Sequence, residues 1–277
     1  MKVIRDITTD EERAFYGSES LSLVNCKIDG PADGESAIKE CRDIQAKDCF
    51  FNLRYPFWHV HGVTVDNCEL TELCRAAFWY TTDGTIRNSK LHGIKALREC
   101  GNITITDTSI ISPEFGWFTR GCAMRDVTAE GEYFMLRARD LDFKRVTLKG
   151  KYSFQYVENA EIRNCVLDTK DAFWHTKNVT VRDSAVKGEY LAWYAENLTF
   201  VNCKISGTQP LCYCKNLKLI DCTMEGCDLS FEKSEVEATV LSQVDSIKNP
   251  KSGRIKVFSV GEIIRDDPES KGEIIVG

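Results

Sequence analysis

The sequence predicts an all-β fold, a single-stranded right-handed parallel β-helix of about twelve coils, each with ~19 residues and three short strands. Three observations predict this solenoid. An Asn or Asp recurs at a nearly constant interval, apolar and polar residues alternate around it, and Gly, Asn or Asp recurs where the chain must turn. One such repeat cannot bury its own apolar side, whereas stacked repeats can.

The recurring Asn or Asp, here called the marker, defines the register of the repeat. From Asn88 onward every step is 19 residues, and the three earlier steps are 23, 19 and 21 residues. Arg145 is the one exception in residue type. The markers are Asn25, Asp48, Asn67, Asn88, Asp107, Asp126, Asn164, Asp183, Asn202 and Asp221. Small insertions are therefore expected in the first coils.

Two predicted strands flank each marker. In the first, the residues four and two positions before the marker are apolar, as Val179 and Val181 are before Asp183. The residue between them is polar, and this alternation is typical of a strand with one buried side. In the second, a small residue and an aliphatic one stand one and three positions after the marker, as Cys203 and Ile205 do. A glycine often follows two residues later, where a turn needs positive φ.

A third strand is expected seven to twelve positions before the marker. It ends at a small residue such as Val157 or Thr176, and an Asn, Asp or Gly such as Asn159 or Asn178 follows two residues later. These residue types tolerate the left-handed conformation that a sharp corner requires. Connections between parallel strands are right-handed by default, which gives the expected hand of the helix.

The repeat divides the chain into three predicted parts. Residues 1–20 form an N-terminal cap, in which Thr9–Glu12 reads as a capping box that opens a short helix ending at Gly17. Residues 21–241 form the β-helix, and residues 242–277, where Asn249 and Pro250 break the register, form a C-terminal cap. Caps are expected because a solenoid otherwise exposes unpaired strand edges at its ends.

Three motifs carry a resemblance to a known family. They are the Asn-Cys-x-Ile-x-Gly units, the Asn-Leu-x-Phe/Leu-x-Asn/Asp-Cys units and the tail Asn249–Gly253. With them the chain resembles right-handed β-helix proteins of the pectate-lyase-like superfamily, and most of all a bacterial β-helix family of unknown function. The resemblance covers most of the chain and implies the fold. It carries over no catalytic residue, because no catalytic motif of the lyases or hydrolases is matched.

Charge and composition argue against several classes of partner. The chain has 36 Lys and Arg against 42 Asp and Glu, a net charge of −6, which argues against nucleic acid and against an anionic membrane. It contains no run of roughly 18 apolar residues, which a membrane-spanning helix needs. Its first residues show no apolar secretion signal, so a cytoplasmic location is expected.

Thirteen cysteines suggest disulfides or a metal site, but their positions argue otherwise. Most of them fall in two columns of the repeat, where they alternate with Ser, Thr, Ala and Val, so we expect small buried side chains with reduced thiols. Cys212 and Cys214 have no second pair at zinc-finger spacing and no His nearby. His59 and His175 share a column but stand six coils apart. We therefore expect no metal and no cofactor.

The outward positions of the first strand carry a ladder of charges. One column holds Arg125, Lys144, Arg163 and Arg182, and a neighbouring outward column holds Asp142 and Glu161. Two carboxylates ~5 Å apart match a retaining glycosidase; by resemblance to β-helix lyases, such a ladder would suit calcium and an acidic sugar. Lateral ion pairs between coils explain the same pattern more simply. The catalytic candidates that remain behind that explanation are Asp142, Glu161, Lys144 and Arg163.

The third strand concentrates the aromatic residues. All five tryptophans lie nine positions before the marker, the next column is rich in Tyr and His, and the preceding column is apolar. Alternation would bury the Trp column together with the small column, yet Arg98 and Gln155 in it conflict with a dry interior. The sequence leaves open which column faces solvent, and it predicts that one aromatic column does. The binding candidates are Trp58, His59, Trp79, Tyr80, Trp117, Phe118, Arg137, Tyr156, Trp174, His175, Trp193, Tyr194 and Tyr213.

An exposed aromatic strip usually marks an interface. We expect a non-catalytic binding protein whose aromatic side contacts a carbohydrate or a protein. A polysaccharide-active enzyme, either a lyase or a glycoside hydrolase, is the alternative by fold analogy. A homo-oligomeric scaffold that dimerises through the same side is a second alternative. The sequence identifies neither the ligand nor the oligomeric state.

Overall fold

The computed structural model describes residues 1–32 and 34–277. The described residues form 27 β-strands and no helix. The strands stack in parallel as a right-handed β-solenoid of about 14 turns, which confirms the predicted fold class. No described segment has the helical length and apolar character that crossing a bilayer demands.

The chain packs as two compact units, unit 1 at Met1–Asp142 and unit 2 at Phe143–Gly277. The strands of unit 1 are β1 (Lys2–Arg5), β2 (Thr8–Thr9), β3 (Glu19–Val24), β4 (Lys27–Asp29), β5 (Arg42–Lys47), β6 (Phe50–Asn52), β7 (Phe57–Trp58), β8 (His61–Asp66), β9 (Glu69–Leu70), β10 (Phe78–Trp79), β11 (Thr82–Arg87), β12 (Lys90–His92), β13 (Leu97–Arg98), β14 (Gly101–Thr106), β15 (Ser109–Ile111) and β16 (Arg120–Glu132). Strand β17 (Arg139–Lys151) contains residues of both units. The strands of unit 2 are β18 (Glu158–Arg163), β19 (Val166–Lys170), β20 (Lys177–Arg182), β21 (Ala185–Lys187), β22 (Glu196–Val201), β23 (Lys204–Ser206), β24 (Leu217–Glu225), β25 (Glu235–Lys248), β26 (Ser252–Ile264) and β27 (Glu273–Val276).

Unit 1 has strands on all three sides of its coils. Its first side is the parallel ladder β1, β3, β5, β8, β11, β14 and β16, in which Ile44 and Val63 are register partners. Its second side is the ladder β2, β4, β6, β9, β12, β15 and β16. Its third side is the short ladder β7, β10 and β13, in which Trp58 pairs with Trp79.

Unit 2 repeats the first two sides and changes the third. Its first side is the ladder β18, β20, β22, β24, β25, β26 and β27, and its second side contains β19, β21, β23 and β24. The described residues of its third side, such as 171–175 and 190–194, form turns instead of strands. The predicted third strand is therefore a left-handed turn in this unit.

The corners of the repeat lie where the sequence predicts them. Every marker residue has positive φ, including the exception Arg145 at 54°. The corner after the third side is also left-handed, for example at Asn159 (59°) and Asn178 (55°). Asn and Asp favour these positions because their short polar side chains tolerate the left-handed region.

The N-terminal segment differs from the predicted cap, whereas the strands that the sequence predicts in the tail, at 254–260, 262–265 and 272–276, correspond to β26 and β27. The helix expected between Thr9 and Gly17 is absent, and the turns there donate backbone hydrogen bonds to the next coil, Arg13 N–H to Glu35 O at 2.9 Å and Phe15 N–H to Ala37 O at 2.8 Å. A capping box is a local signal, and hydrogen bonds to the neighbouring coil satisfy the same backbone groups. The tail also continues the stack, because β26 pairs in parallel with β25 and β27 with β26.

The interior of each unit is a stack of like side chains. In unit 1 the rings of Phe57 and Phe78 stack with centroids 4.8 Å apart, and in unit 2 those of Phe154 and Phe173 stack at 4.9 Å. All four rings are fully buried. Stacked aromatic pairs contribute ~0.5–1.5 kcal/mol beyond their area of burial, so this column holds neighbouring coils together.

Cys, Ser and Thr interchange in the column after the marker because each donates a hydrogen bond to the same kind of carbonyl. The thiol of Cys49 donates to Lys47 O at 3.2 Å. The hydroxyls of Ser89 and Thr108 each donate to the carbonyl two residues earlier at 2.7 Å. The small side chain thus fills the interior and satisfies a backbone acceptor at the corner. All thirteen cysteines lie among the described residues, buried and outside any disulfide.

We predict that the thirteen thiols are unreactive in the native protein. Burial raises the pKa of Cys74 to about 11 and that of Cys100 to about 12, so the nucleophilic thiolate is scarce near neutral pH. A hydrogen bond with Cys68 lowers the pKa of Cys49 to about 7, but Cys49 is only 3% exposed. Titration with a chromogenic disulfide reagent should count few thiols before denaturation and nearly all thirteen after it. Several disulfides in the purified protein would contradict the prediction.

Gly207 and Gly226 share a turn column but differ in their surroundings. A Cβ on Gly207, at φ 129°, would lie 2.2 Å from the carbonyl oxygen of Gly188, whereas one on Gly226, at φ 64°, would meet nothing within 4 Å. We predict that Gly207→Ala lowers the free energy of unfolding by ~3 kcal/mol and Gly226→Ala by ~1 kcal/mol. Chemical denaturation of the two variants measures the difference. Equal losses would show that the close approach of the two coils does not matter.

Candidate functional site

The third side of each coil presents two consecutive columns to the solvent. The apolar column, with Phe57 and Phe173, and the small column, with Val60 and Thr176, are both buried. Between them, the Trp column is half-buried, and the next column is exposed or half-buried. Where the sequence left open which column faces solvent, the structure leaves the Trp column half-buried and the next column the more exposed of the two.

A left-handed residue is the reason that alternation fails on this side. The residue after each Trp has positive φ, for example 54° at His59, 56° at His175 and 59° at Tyr194. Strict alternation of side chains holds only for extended backbone. A left-handed residue turns the chain so that two successive side chains point outward between two buried ones.

The Trp column satisfies backbone carbonyls that this turn leaves outside a regular ladder. The indole N–H of Trp117 donates to Tyr133 O at 2.8 Å, that of Trp174 to Tyr190 O at 2.6 Å, and that of Trp193 to Gln209 O at 2.8 Å. Each acceptor belongs to a left-handed residue three positions before the same column of the next coil. The Trp residues are thus part of the hydrogen-bonding scheme of the coil.

Gln155 and Arg98 occupy the Trp column without conflict because the column is not in a dry interior. The side-chain amide of Gln155 donates to Asp171 O at 3.1 Å, which is the same kind of contact as that of the indoles. The guanidinium carbon of Arg98 lies 5.5 Å from the ring centroids of both Trp79 and Trp117, and its Nε contacts Glu99 at 3.1 Å. Arg98 therefore takes the place of a ring in the stack.

In unit 1 these residues form a mixed stack of cations and rings. Lys39 Nζ lies 4.2 Å from the ring of Trp58, and the rings of Trp58 and Trp79 stack at 5.5 Å with an interplanar angle of 12°. Lys39 is not among the binding candidates predicted from the sequence, although it stands in the Trp column one coil before Trp58. The buried Nε1 atoms of Trp58 and Trp79 make no hydrogen bond within the described residues, unlike the other three indoles.

The remaining candidates of unit 1 do not form a continuous stack of rings. His59 Nδ1 lies 3.2 Å from Glu40 Oε1, and its ring meets that of Tyr80 edge-on at 4.8 Å. Phe118 is 47% exposed and meets Trp117 edge-on. Arg137 lies exposed in the same column.

In unit 2 the exposed column is a continuous stack of four rings, here called the ring ladder: Tyr156, His175, Tyr194 and Tyr213. Successive centroids are 4.8, 5.0 and 4.9 Å apart, with interplanar angles of 8°, 7° and 13°. Trp174 and Trp193 stack beside it at 5.4 Å. The structure thus brings together six of the predicted binding residues in unit 2.

The ring ladder exposes ring edges and covers ring faces. His175 and Tyr194 each have a parallel ring on both sides at about 5 Å, so neither face is open. Tyr156 and Tyr194 are still 38% and 48% exposed. Burial lowers the pKa of His175 and raises that of Tyr213 to about 12, so both rings are favoured in their neutral forms. The outer surface of the ladder is uncharged and semi-apolar.

The catalytic candidates lie on the first side of their coils. In unit 1, Arg125 Nη2 donates to Asp142 Oδ2. In unit 2, Arg182 Nε lies 3.9 Å from Glu161 Oε2, and Arg163 is the register partner of Arg182. Lys144 is half-buried on β17. The described contacts of both carboxylates are those of lateral ion pairs. No group of three or more His, Cys, Asp or Glu among the described residues is arranged to hold a metal ion.

A family profile described as "Protein of unknown function (DUF3737)" matches residues 2–275, so the chain belongs to that family. Curated proteins provide no significant match. Among solved structures, the chain is similar to that of PfbA, a surface adhesin of Streptococcus pneumoniae, with 13% identity over 90% of this chain and 71% of that one, at a TM-score of 0.37. It is also similar to the mannuronan C-5 epimerase AlgE6 A-module of Azotobacter vinelandii, with 9% identity over 99% of this chain and 88% of that one, at a TM-score of 0.35. Scores this low extend nothing from those proteins to this chain.

Trp193 and Trp79 make a matched pair for the role of the indole N–H. Both stack on a neighbouring Trp, but only Trp193 donates to a carbonyl, whereas the buried Nε1 of Trp79 has no acceptor within the described residues. We predict that Trp193→Phe lowers the free energy of unfolding by ~1–2 kcal/mol more than Trp79→Phe, because it leaves Gln209 O with only the weak thiol donor of Cys212 at 3.5 Å. Denaturant titration measures the difference. An equal loss for the two variants would mean that the indoles act only as apolar filling.

Proposed function

We propose that this chain is a non-catalytic binding protein whose ring ladder docks against the surface of a protein partner. The observation that carries the proposal is the row of exposed ring edges at Tyr156, His175, Tyr194 and Tyr213, which stands outside a core already filled by the Phe column. Core packing does not require this second stack. A contact surface accounts for rings that the coil holds rigidly at its exterior.

The geometry favours a protein over a carbohydrate partner. A sugar that stacks on an aromatic residue needs an open ring face, and the two inner rings of the ladder have both faces covered by their neighbours. Protein interfaces instead use tyrosine and tryptophan as rigid side chains that bury much area at small entropic cost. Each tyrosine edge also presents a hydroxyl group that can donate or accept a hydrogen bond.

A polysaccharide-active enzyme remains the alternative from the sequence, but the described contacts give it no specific support. A glycosidase needs one carboxyl group as an acid and another as a base or nucleophile. Asp142 and Glu161 are instead held against Arg125 and Arg182. The proposal therefore assigns these charges to the lateral pairing of coils.

We also propose that the chain works in a reducing compartment such as the cytoplasm. Thirteen cysteines are buried and unbonded although several stand in the same column on adjacent coils, as Cys49 and Cys68 do. Proteins of oxidising compartments seldom keep so many thiols unpaired.

A photoreactive side chain tests the docking surface directly. We expect that the full chain with Tyr194 replaced by p-benzoylphenylalanine gives a discrete protein adduct when irradiated in expressing cells. Phe258, which is 67% exposed on β26 and lies outside the third side, is the matched control and should give none. Adding Tyr156→Ala and Tyr213→Ala should abolish the adduct at position 194. If position 194 gives no protein adduct while polysaccharide binding depends on these rings, the proposal is wrong.

The stability of the double variant Tyr156→Ala/Tyr194→Ala separates docking from folding. These rings take part in three stacked pairs, each contributing ~0.5–1.5 kcal/mol, so a decrease of only a few degrees in melting temperature is expected. Phe173→Ala, which empties the core, should cause a larger decrease. If the double variant unfolds as readily as Phe173→Ala, the ladder is part of the core and not a docking surface.

A further inference from the structure

We infer that the partner on the ring ladder is a second copy of this chain, in antiparallel orientation. This inference rests on the proposed function and names its occupant. The two-fold axis lies parallel to the course of the chain within a coil, perpendicular to the direction in which coils stack. It passes between the coil of His175 and the coil of Tyr194. In this arrangement His175 of one chain faces Tyr194 of the other, and Tyr156 faces Tyr213. The pattern of charge on both borders of the ladder carries the inference.

The first border is a column of alternating charges two residues after each ring. Its members in coil order are Glu158, Lys177, Glu196 and Lys215, and the uncharged Ser234 follows in the next coil. Lys177 and Glu196 are in contact within the chain, with their charged atoms 3.9 Å apart. A column that alternates in sign is its own complement when its direction is reversed.

Reversal about the proposed axis brings opposite charges together along this border. Lys177 of one chain faces Glu196 of the other, and Glu158 faces Lys215. The lateral pair of each chain then closes with that of its partner into a square of four alternating charges. Within one chain both side chains are about half exposed, so they are free to make the second contact.

The second border, five residues before each ring, selects the same register independently. Lys170 and Glu189 lie there, in the coils of His175 and Tyr194, and their charged atoms are 2.8 Å apart. The proposed axis places Lys170 of one chain opposite Glu189 of the other. Moving the axis one coil toward Tyr156 would instead oppose Lys170 to Lys151, which is a contact of like charge.

A parallel dimer fails the same comparison. Its two-fold axis would run along the direction of stacking and would bring the first border of one chain against the second border of the other at equal height. Lys177 would then face Lys170, and Glu196 would face Glu189. Like charges facing each other across an interface cost several kcal/mol, so only the antiparallel arrangement satisfies both borders.

The size of the surface sets the expected affinity. The coils from Tyr156 to Lys233 are about five in number, and at ~4.8 Å per coil and ~20–25 Å across they give ~500 Å² per chain. About 1,000 Å² in total lies at the low end of specific interfaces. We therefore expect a reversible dimer with a dissociation constant in the micromolar range.

Charge-reversal variants of the full chain test both the occupant and the register. Lys177→Glu makes the centre of the first border uniformly acidic, and Glu196→Lys makes it uniformly basic. Each variant alone should dimerise at least about tenfold more weakly than the parent chain in sedimentation velocity at low salt. An equimolar mixture of the two variants should regain the parent affinity, because every border charge then meets its opposite.

Arg254 and Glu273 supply the control. They form an exposed lateral pair at 2.9 Å between neighbouring coils, but they project from β26 and β27 on the first side, beyond the coils of the proposed interface. Arg254→Glu and Glu273→Arg should each leave dimerisation unchanged. All four variants should keep the melting temperature of the parent chain within a few degrees, since exposed lateral pairs contribute little.

The outcomes separate this inference from the proposed function. A dimer that responds to the first border, is rescued by mixing and ignores the control supports the inference. If the parent chain is monomeric at all accessible concentrations and the adduct at position 194 has a mass other than twice that of the chain, the inference is wrong and the proposed function stands. If no protein adduct forms at position 194, both are wrong. A dimer that is indifferent to Lys177→Glu and Glu196→Lys also overturns the inference.

Discussion

The hydrogen bonds between adjacent coils are the interaction on which the rest of the structure depends. On the third side of unit 2, Tyr156 N–H donates to Trp174 O at 2.8 Å and His175 N–H to Trp193 O at 2.9 Å. These bonds fix the coil spacing, so any side chain meets its own column at about 5 Å above and below. Rings in one column must therefore stack, as Tyr156 and His175 do at 4.8 Å. Charged side chains in one column meet at the same spacing, so a column that alternates in sign forms lateral ion pairs.

The periodic features could be predicted from the sequence because equivalent positions recur in every coil. Each column therefore shows many times which residue types one environment accepts. Arg145 was assigned to a corner from its register alone, and its φ of 54° is that of the other markers. The aromatic side was harder, because the prediction assumed extended backbone after each Trp. His175, at φ 56°, is left-handed and not extended. The residue types in its column do not by themselves indicate that conformation. Pairs of buried columns three apart, such as Phe173 and Thr176, were the signal that could have found it.

The N-terminal segment was predicted less well because its signal is local. Thr9–Glu12 matches the sequence pattern of a capping box. The backbone N–H groups of the turns that follow donate instead to Glu35 O and Ala37 O in the next coil. A short helix there would have to forgo those bonds, and a helix of two turns is marginal without tertiary support. The contacts of the candidate site were also beyond the sequence. The repeat shows that Trp193 stands in a column, but not that its indole bonds Gln209 O.

Stacking within the fold decides what kind of surface a solenoid presents. A ring column held at about 5 Å covers its own faces, so the ladder from Tyr156 to Tyr213 offers edges and hydroxyl groups where an isolated ring would offer a face. Alternating charges in one column form lateral ion pairs at the same spacing, and alternation by itself makes any such column self-complementary on reversal. The first border alone would therefore be weak evidence for a dimer. The discriminating feature is the second border, where only the axis at the centre of the ring ladder opposes Lys170 to Glu189. A shift toward Tyr156 opposes Lys170 to Lys151, and a shift the other way leaves Glu189 opposite the uncharged Thr208.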